Sequence, residues 1–230
     1  MFTFTIALLA LIAGYFFYGK FVEKIFGVDP ARKTPAYTKQ DGVDYIPMPT
    51  WKIFMIQFLN IAGLGPIFGA IMGAKFGTAS YLWIVLGSIF AGAVHDFLAG
   101  MISLRNGGES LPETIGRYLG VNFKQFMRGF TVLLMVLVGA VFVAGPAGLL
   151  AIDKIIGKIY PIFAIALIFM AAGILFMIFW HHPALPELTD GIANTHPDGL
   201  PIFPMMFISI ACGAISGFHA TQSPLMARCM

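Results

Sequence analysis

The chain has 230 residues, of which 58% are apolar and only 11% charged, against roughly 25% charged in an ordinary soluble domain. Fourteen Lys and Arg and eleven Asp and Glu cannot cover a soluble body of this size, so acyl chains have to solvate much of the exterior. The net charge of +3 is small and its basic residues sit between apolar runs, which speaks for membrane topology and against a nucleic-acid surface. Cys212 and Cys229 permit at most one bridge and show no zinc spacing.

A helix needs about 20 apolar residues to cross roughly 30 Å of hydrocarbon. Six stretches meet or approach that length: 3–19, 51–74, 79–104, 128–150, 159–180 and 202–219. All read as helices, since lipid-exposed backbone must satisfy its own hydrogen bonds and no strand-like alternation occurs. The first run has no basic residue ahead of it and has Lys20 and Lys24 behind it, which favours a retained span over a cleaved leader. Trp51, Tyr81, Trp83, Tyr160 and Trp180 fall near span ends, where aromatic rings favour the interface. Residues 20–52 carry six Lys and Arg and 105–128 carry four, whereas the other side of a six-span path holds only Lys75, Lys154, Lys158 and Arg228. The positive-inside rule then puts both rich loops in the cytoplasm and the N-terminus outside. The loop 181–201 resists this scheme, because it too would be cytoplasmic yet has no Lys or Arg. A re-entrant second segment would place that loop outside and leave the tally unchanged.

Small and polar residues gather in three segments. In QFLNIAGLGPIFGAIMGAKFG, Gly65, Gly69, Gly73 and Gly77 recur every four residues and predict one smooth helix ridge, most often used for close packing. Gly63, Gly65 and Pro66 also weaken a helix in mid-membrane, and discontinuous helices offer backbone groups to substrates or ions. Gln57 and Asn60, three apart just before, add hydrogen-bonding side chains. Packing, a simple kink and a binding site all account for this cluster.

The third segment holds His95-Asp96 within GSIFAGAVHDFLAGMISL. Nine residues, about 13 Å of helix, separate Asp96 from Arg105, which puts the carboxyl near mid-membrane. An ionised Asp facing lipid there costs several kcal/mol, so it is expected to face the bundle or water, in a structural or a functional contact. Ser88, Gly92, Asp96 and Gly100 form one four-residue row and Ala91, His95 and Ala99 the next, so both polar residues are expected on the packing face. In the sixth segment, FISIACGAISGFHATQSPLMARC, the residues Ser209, Gly213, Gly217 and Thr221 form a similar row. The run His219, Thr221, Gln222, Ser223, Pro224 is polar for a membrane segment. Pro224 disfavours helix at Ser223, and an ordinary span end with a capping turn explains this run as well as a binding site does.

Other chemistry has less support. GPAG at 145–148 reads as a kink or helix end. His181, His182 and Glu187 offer metal-ligand types, but paired His at an interface is more often simply solvated, and no metal or other cofactor is expected. Ser216 and His219, three apart, invite a hydrolase reading, yet no oxyanion-hole or orienting-acid pattern accompanies them. The absence of a Walker A sequence removes ATP-driven transport within the chain.

Three stretches, DGVDYIPMPTWKIFMIQFLNIAGLGPIFGAIMGAKFG, GAVHDFLAGMISLRNGGESLPETIGRYLG and ACGAISGFHATQSPLMARC, together resemble the carbon starvation protein A family of bacterial membrane transporters. The likeness covers most of the chain. Family members typically carry glutamine or a similar polar residue where His95 stands, so the resemblance gives His95 no unique role. It implies an all-α membrane protein of about six transmembrane helices, the N-terminal half of an inverted-repeat fold related to the amino acid–polyamine–organocation (LeuT-like) transporters. It further implies proton-driven uptake of peptides or pyruvate under carbon starvation, in the bacterial inner membrane, with substrate contacts at Asn60, Gly63, Gly65 and around 219–223.

Residues and resemblance together give a candidate substrate- or ion-binding set of Gln57, Asn60, Gly63, Gly65, His95, Asp96, His219, Thr221, Gln222 and Ser223. The expected partners are the bilayer, a small substrate and a coupling proton. A membrane enzyme using His95/Asp96 or Ser216/His219 is the alternative. An inverted-repeat fold needs its second half to enclose a site, so the chain is also expected to be one half or a fragment of the working transporter.

Overall fold

The computed structural model describes residues 1–61, 64–144, 152–213, 215 and 217–230; side chains at 60, 64–66, 135, 138–144, 152–161, 212, 217, 218, 220 and 221 fall outside that description. Among the described residues the structure is helical, with no strand. α1 runs Phe2–Phe26 and α4 runs Ala79–Arg105, and these two together with Ile162–His181 are long and apolar enough to cross a membrane. α1 thus extends well beyond the expected end at residue 19. Its last turns are amphipathic, with Val22 buried and Lys20, Glu23 and Lys24 at the basic end, and Gly27 in a left-handed conformation stops it.

The second segment is formed by α2 (Thr50–Ile61) and α3 (Leu64–Ala74); the expected break at Gly63 lies outside the described residues. The RNGG turn after α4 leads to α5 (Leu111–Leu119), which starts with a capping box between Ser110 and Glu113. α6 (Val121–Ala144) follows and packs against α5, and the GPAG stretch beyond it lies outside the described residues. α7 spans Ile152–His181. The sixth segment begins with a kinked stretch, Ile202–Met206, in which Phe203 is extended (φ −103°, ψ 129°), and continues as α8 (Phe207–Gly213) and α9 (Gly217–Met226). Between α8 and α9, Ile215 is a turn residue whose N–H reaches back to the Ile210 carbonyl at 3.4 Å. Pro224 does not end the helix as expected but lies inside α9. Tertiary contact outweighs the local penalty there, because Pro224 is buried and its carbonyl meets the Ser103 hydroxyl of α4.

α3 packs on α8, and α9 packs on α4 and α2. The glycine ridge makes the first contact. A Cβ on Gly69 would sit 2.6 Å from Gly213 Cα and 2.7 Å from the Ser209 carbonyl oxygen, and one on Gly73 would sit 2.3 Å from the Ile210 side chain. The ridge of the second segment therefore lies against the small-residue row of the sixth, as close helix approach requires. Gly77 is not part of the ridge. α3 ends at Ala74, and Gly77 turns the chain with φ of 88° beside the Ala193 carbonyl. Around these contacts Phe76, Ala79, Met206 and Ile210 form one core, and Leu59, Ala164 and Leu167 a second where α7 meets α2.

Polar contacts define the two ends of the bundle. At the far face, Glu187 caps the start of α1, accepting from the N–H groups of Phe2 (2.9 Å) and Thr3 (2.6 Å) and pairing with the N-terminal ammonium. Thr78 Oγ1 donates to the Gly191 carbonyl and Thr195 Oγ1 to the Lys75 carbonyl. At the basic face, Arg105 donates to the Phe26 and Gly27 carbonyls, Ile46 and Met48 pair with Arg228 and Cys229, and Arg228 Nε donates to the Gly108 carbonyl. Loop 181–201 therefore shares its face with residues 1–3 and 75–78, opposite both basic loops. It is not on the face that a path of six full spans assigns it. A re-entrant second segment is not the reason, because the ends of that segment lie on opposite faces. Arg228, assigned by the sequence to the poor side, belongs to the basic face.

Two expectations follow. Gly69→Leu should cost about 1–3 kcal/mol or more through overpacking, read as lost membrane accumulation and a lower melting temperature in detergent. Gly173→Ala, where an added Cβ meets nothing within 4 Å, should behave like the parent. For Glu187, the hydrogen bond from the N-terminal ammonium, then those from Thr3 and Phe2, hold its carboxyl at about 2, below the ordinary 4.5. Its contribution is thus complete above the ordinary value and lost as pH falls through about 2. Glu187→Gln should speed amide exchange at Phe2 and Thr3 at neutral pH, and unchanged exchange would show that the cap does not hold α1.

Candidate functional site

The seam between α4 and α9 gathers the polar groups. Asp96, Gly100 and Ser103 stand at i, i+4 and i+7, one face of an α-helix, and that face meets α9. An oxygen of the Asp96 carboxylate lies 3.1 Å from Nδ1 of His219, whose side chain is only 6% exposed, against 21% for Asp96. Ser223, one turn beyond His219, donates from Oγ to the Asp96 main-chain carbonyl at 3.0 Å. Ser103, fully buried, holds its hydroxyl 2.7 Å from both the Pro224 and Glu109 carbonyls, and its single proton serves the two.

The contact with His219 explains how a carboxyl group is held inside an apolar bundle. With Nδ1 protonated the imidazole donates to the carboxylate, and with both ring nitrogens protonated the contact becomes an ion pair. A proton added to or taken from either partner therefore alters the contact between two different helices.

His95 does not share the packing face. Its side chain is 56% exposed and its Nδ1 lies 3.5 Å from the other Asp96 oxygen. His95 and Asp96 both follow the π-helical stretch Gly87–Gly92 and sit in regular α-helix, where neighbours point about 100° apart, so His95 falls off a packing face that is one row wide. Each π-turn takes one residue more than an α-turn, so a four-residue row drawn across the stretch loses phase. Ser88, on the same expected row as Asp96, instead lines a crevice toward α1 with Ile89, Ala93 and Phe97.

The remaining candidates divide by position. Gln57 is half-buried on α2, which packs against α9, and Gln222 is half-buried on α9 beside Ser223. Asn60, Gly65 and Thr221 sit on α2, α3 and α9 respectively, but their side-chain environments lie outside the described residues, as do Gly63 and the Ser216 of the hydrolase alternative. His181, His182 and Glu187 lie at the far face, and no group of three potential metal ligands occurs among the described residues. Sequence reasoning missed Ser103, although its i+7 spacing from Asp96 was the available signal.

An all-helical membrane protein with a buried acid–imidazole contact across two helices is the class that this fold and site define. The chain belongs to the carbon starvation protein CstA family, whose sequence pattern matches residues 1–183 and again 159–224. It is 40% identical over 296 residues to an uncharacterized membrane protein of Haemophilus influenzae, covering 95% of this chain and 80% of that one. It is 31% identical over 300 residues to the peptide transporter CstA of Campylobacter jejuni, covering 91% of this chain and 43% of the relative. A 26% identity over 301 residues links it to the pyruvate/proton symporter BtsT of Escherichia coli, covering 92% and 42%. The chain thus spans less than half the length of these two transporters. No solved structure matches.

Ser103→Ala removes the hydroxyl that joins the Pro224 and Glu109 carbonyls, while the Pro224 carbonyl keeps the Ala227 N–H, and should cost about 0.5–1.5 kcal/mol. The measurement is a melting temperature in detergent. An unchanged value would show that the Ser103 hydroxyl does not hold the seam together.

Proposed function

We propose that the chain forms the site-bearing part of a secondary-active transporter that takes up peptides or pyruvate together with protons across the bacterial inner membrane. The observation that carries this reading is the contact of Asp96 with His219, a titratable pair on two helices inside an apolar bundle. Ionisable residues at such depth ordinarily mark substrate or ion pathways. The interruption at Ile215 supports it, since discontinuous helices build the sites of secondary transporters. So do the names of the two transporter relatives, one a peptide transporter and one a pyruvate/proton symporter.

In this reading Asp96 and His219 hold the coupling proton, Ser223 fixes the backbone beside them, and Gln57, Asn60, Gly63, Gly65, Thr221 and Gln222 border the substrate. The side-by-side, antiparallel second and sixth segments supply the core of one half of an inverted-repeat fold, with the other half outside this sequence. The basic face is the cytoplasmic one.

Asp is nearly isosteric with Asn, which keeps hydrogen-bonding capacity but carries no titratable proton. Asp96→Asn should accumulate normally in the membrane yet reduce proton-driven uptake of radiolabelled pyruvate or dipeptide to background, in proteoliposomes holding the complete transporter. Full, still gradient-dependent uptake by the folded variant would rule out the proton role. Turnover of substrate in detergent without any gradient would instead favour the enzyme alternative.

A further inference from the structure

α1 and α4, both long and apolar enough to cross a membrane, touch at two levels and leave room between them. Toward the far face Gly14 lies against Ile89, where an added Cβ would come within 2.8 Å of that side chain. Tyr18 packs edge-on against Phe90 nearby, with ring centroids 4.9 Å apart. Toward the basic face Phe26 meets Phe97, and Arg105 donates to the Phe26 and Gly27 carbonyls. Between these levels lies a crevice of about 580 Å³ with Leu11, Val22, Ala93 and Val94 among its apolar walls, within the size range of ligand sites. A π-helical stretch borders it on each helix, Gly14–Tyr18 and Gly87–Gly92, and the two stretches touch. Such stretches are rare and recur at functional sites.

The crevice lies at the depth of one leaflet. On α1 its lining runs from Leu11 to Glu23, about 22 to 5 Å of helix from the end at Phe26. On α4 it runs from Ser88 to Phe97, about 26 to 12 Å from Arg105. It thus occupies the basic-side half of roughly 30 Å of hydrocarbon and continues past the middle. An unfilled gap forfeits dispersion contacts, and acyl chains are the surrounding solvent.

The same seam continues into a smaller, basic pocket of about 120 Å³. Ala93, Phe97, Met101 and Leu104 stand at i, i+4, i+8 and i+11 on one face of α4. The first two line the crevice and the last two the pocket. Arg32, Lys33 and Arg105 line the pocket beside one carboxylate, Asp29, whose Oδ1 accepts from the Ala31 N–H. Lys20 and Glu23 line the crevice, so four cations stand against two carboxylates along the seam. Among the described residues, no carboxylate forms an ion pair with any of those four cations.

We infer that the α1–α4 seam binds one anionic phospholipid of the basic-side leaflet, with an acyl chain in the crevice and the phosphate against Arg32, Lys33 and Arg105. Both parts of the ligand are matched. The walls of the crevice are apolar at acyl-chain depth, and basic pockets between membrane helices hold anionic head groups. A free phosphate would use the pocket alone, and a zwitterionic lipid would gain little from the unpaired cations. This inference is independent of the transport reading.

The test is lipid retention by the full chain in detergent, measured by native mass spectrometry with phosphatidylglycerol and phosphatidylcholine of identical acyl chains. One phosphatidylglycerol per chain should be held more tightly than phosphatidylcholine, and its affinity should fall as salt rises. Each Lys or Arg near the anionic surface contributes about fivefold, so Arg32→Gln with Lys33→Gln should weaken retention about 25-fold. Lys52→Gln, at the start of α2, should leave it unchanged. Gly19 lines the crevice in ordinary helical conformation, and a Cβ added there meets nothing within 4 Å. Gly19→Leu should therefore occupy the crevice without unfolding the chain and lower retention of both lipids. Equal retention of the two lipids, or phosphatidylglycerol binding that survives either the paired Arg32 and Lys33 change or Gly19→Leu, would overturn the inference. Displacement of the lipid by an equal concentration of inorganic phosphate would reduce the site to an anion pocket. A dimer that Gly19→Leu converts to monomer would make a second copy the occupant, and the inference would fail.

Discussion

A polar group carried into hydrocarbon must find its partner within the protein, and the seam between α4 and α9 is organised by that constraint. Three contacts lie along it in register: the Asp96 carboxylate with His219, the Asp96 carbonyl with the Ser223 hydroxyl, and the Ser103 hydroxyl with the Pro224 carbonyl. A carboxylate or a hydroxyl left unpaired in lipid costs several kcal/mol. Together they set the position and rotation of α9. A short helix that contains a proline and follows a turn has little intrinsic stability of its own, so α9 depends on α4. The pairing of residues 46 and 48 with 228 and 229 at the basic face follows from where α9 ends.

Close approach of backbones is the complementary device. Between α3 and α8 there is no room for a side chain at Gly69, and the contact is made of main-chain atoms from both helices. The sixth segment is thus held in two ways, through small residues in its first half and polar pairs in its second. The interruption at Ile215 lies where one mode gives way to the other.

Much of the chemistry was legible in the sequence. Composition alone requires a bilayer, because too few charges exist to face water. The depth of Asp96 follows from counting to Arg105, and the four-residue glycine spacing specifies a close-packing ridge before its partner is known. His219 and Ser223 stand out as polar residues in an apolar run. These features are local or periodic, and a helix of 3.6 residues per turn converts them directly into a depth and a face.

Tertiary structure decided the rest. It made Asp96 the partner of His219 across 123 positions of chain, a pairing that no spacing encodes. It left His95 off the packing face, because only the row of Asp96 meets α9, and it drew Ser88 off that row through a π-helical stretch. It also carried α9 through Pro224 and placed loop 181–201 opposite the basic loops. In each case the sequence rule assumes a regular helix or a full crossing, and a contact with a distant segment outweighs the local preference. Periodicity fixes which residues share a face, whereas only the packed bundle decides what that face meets.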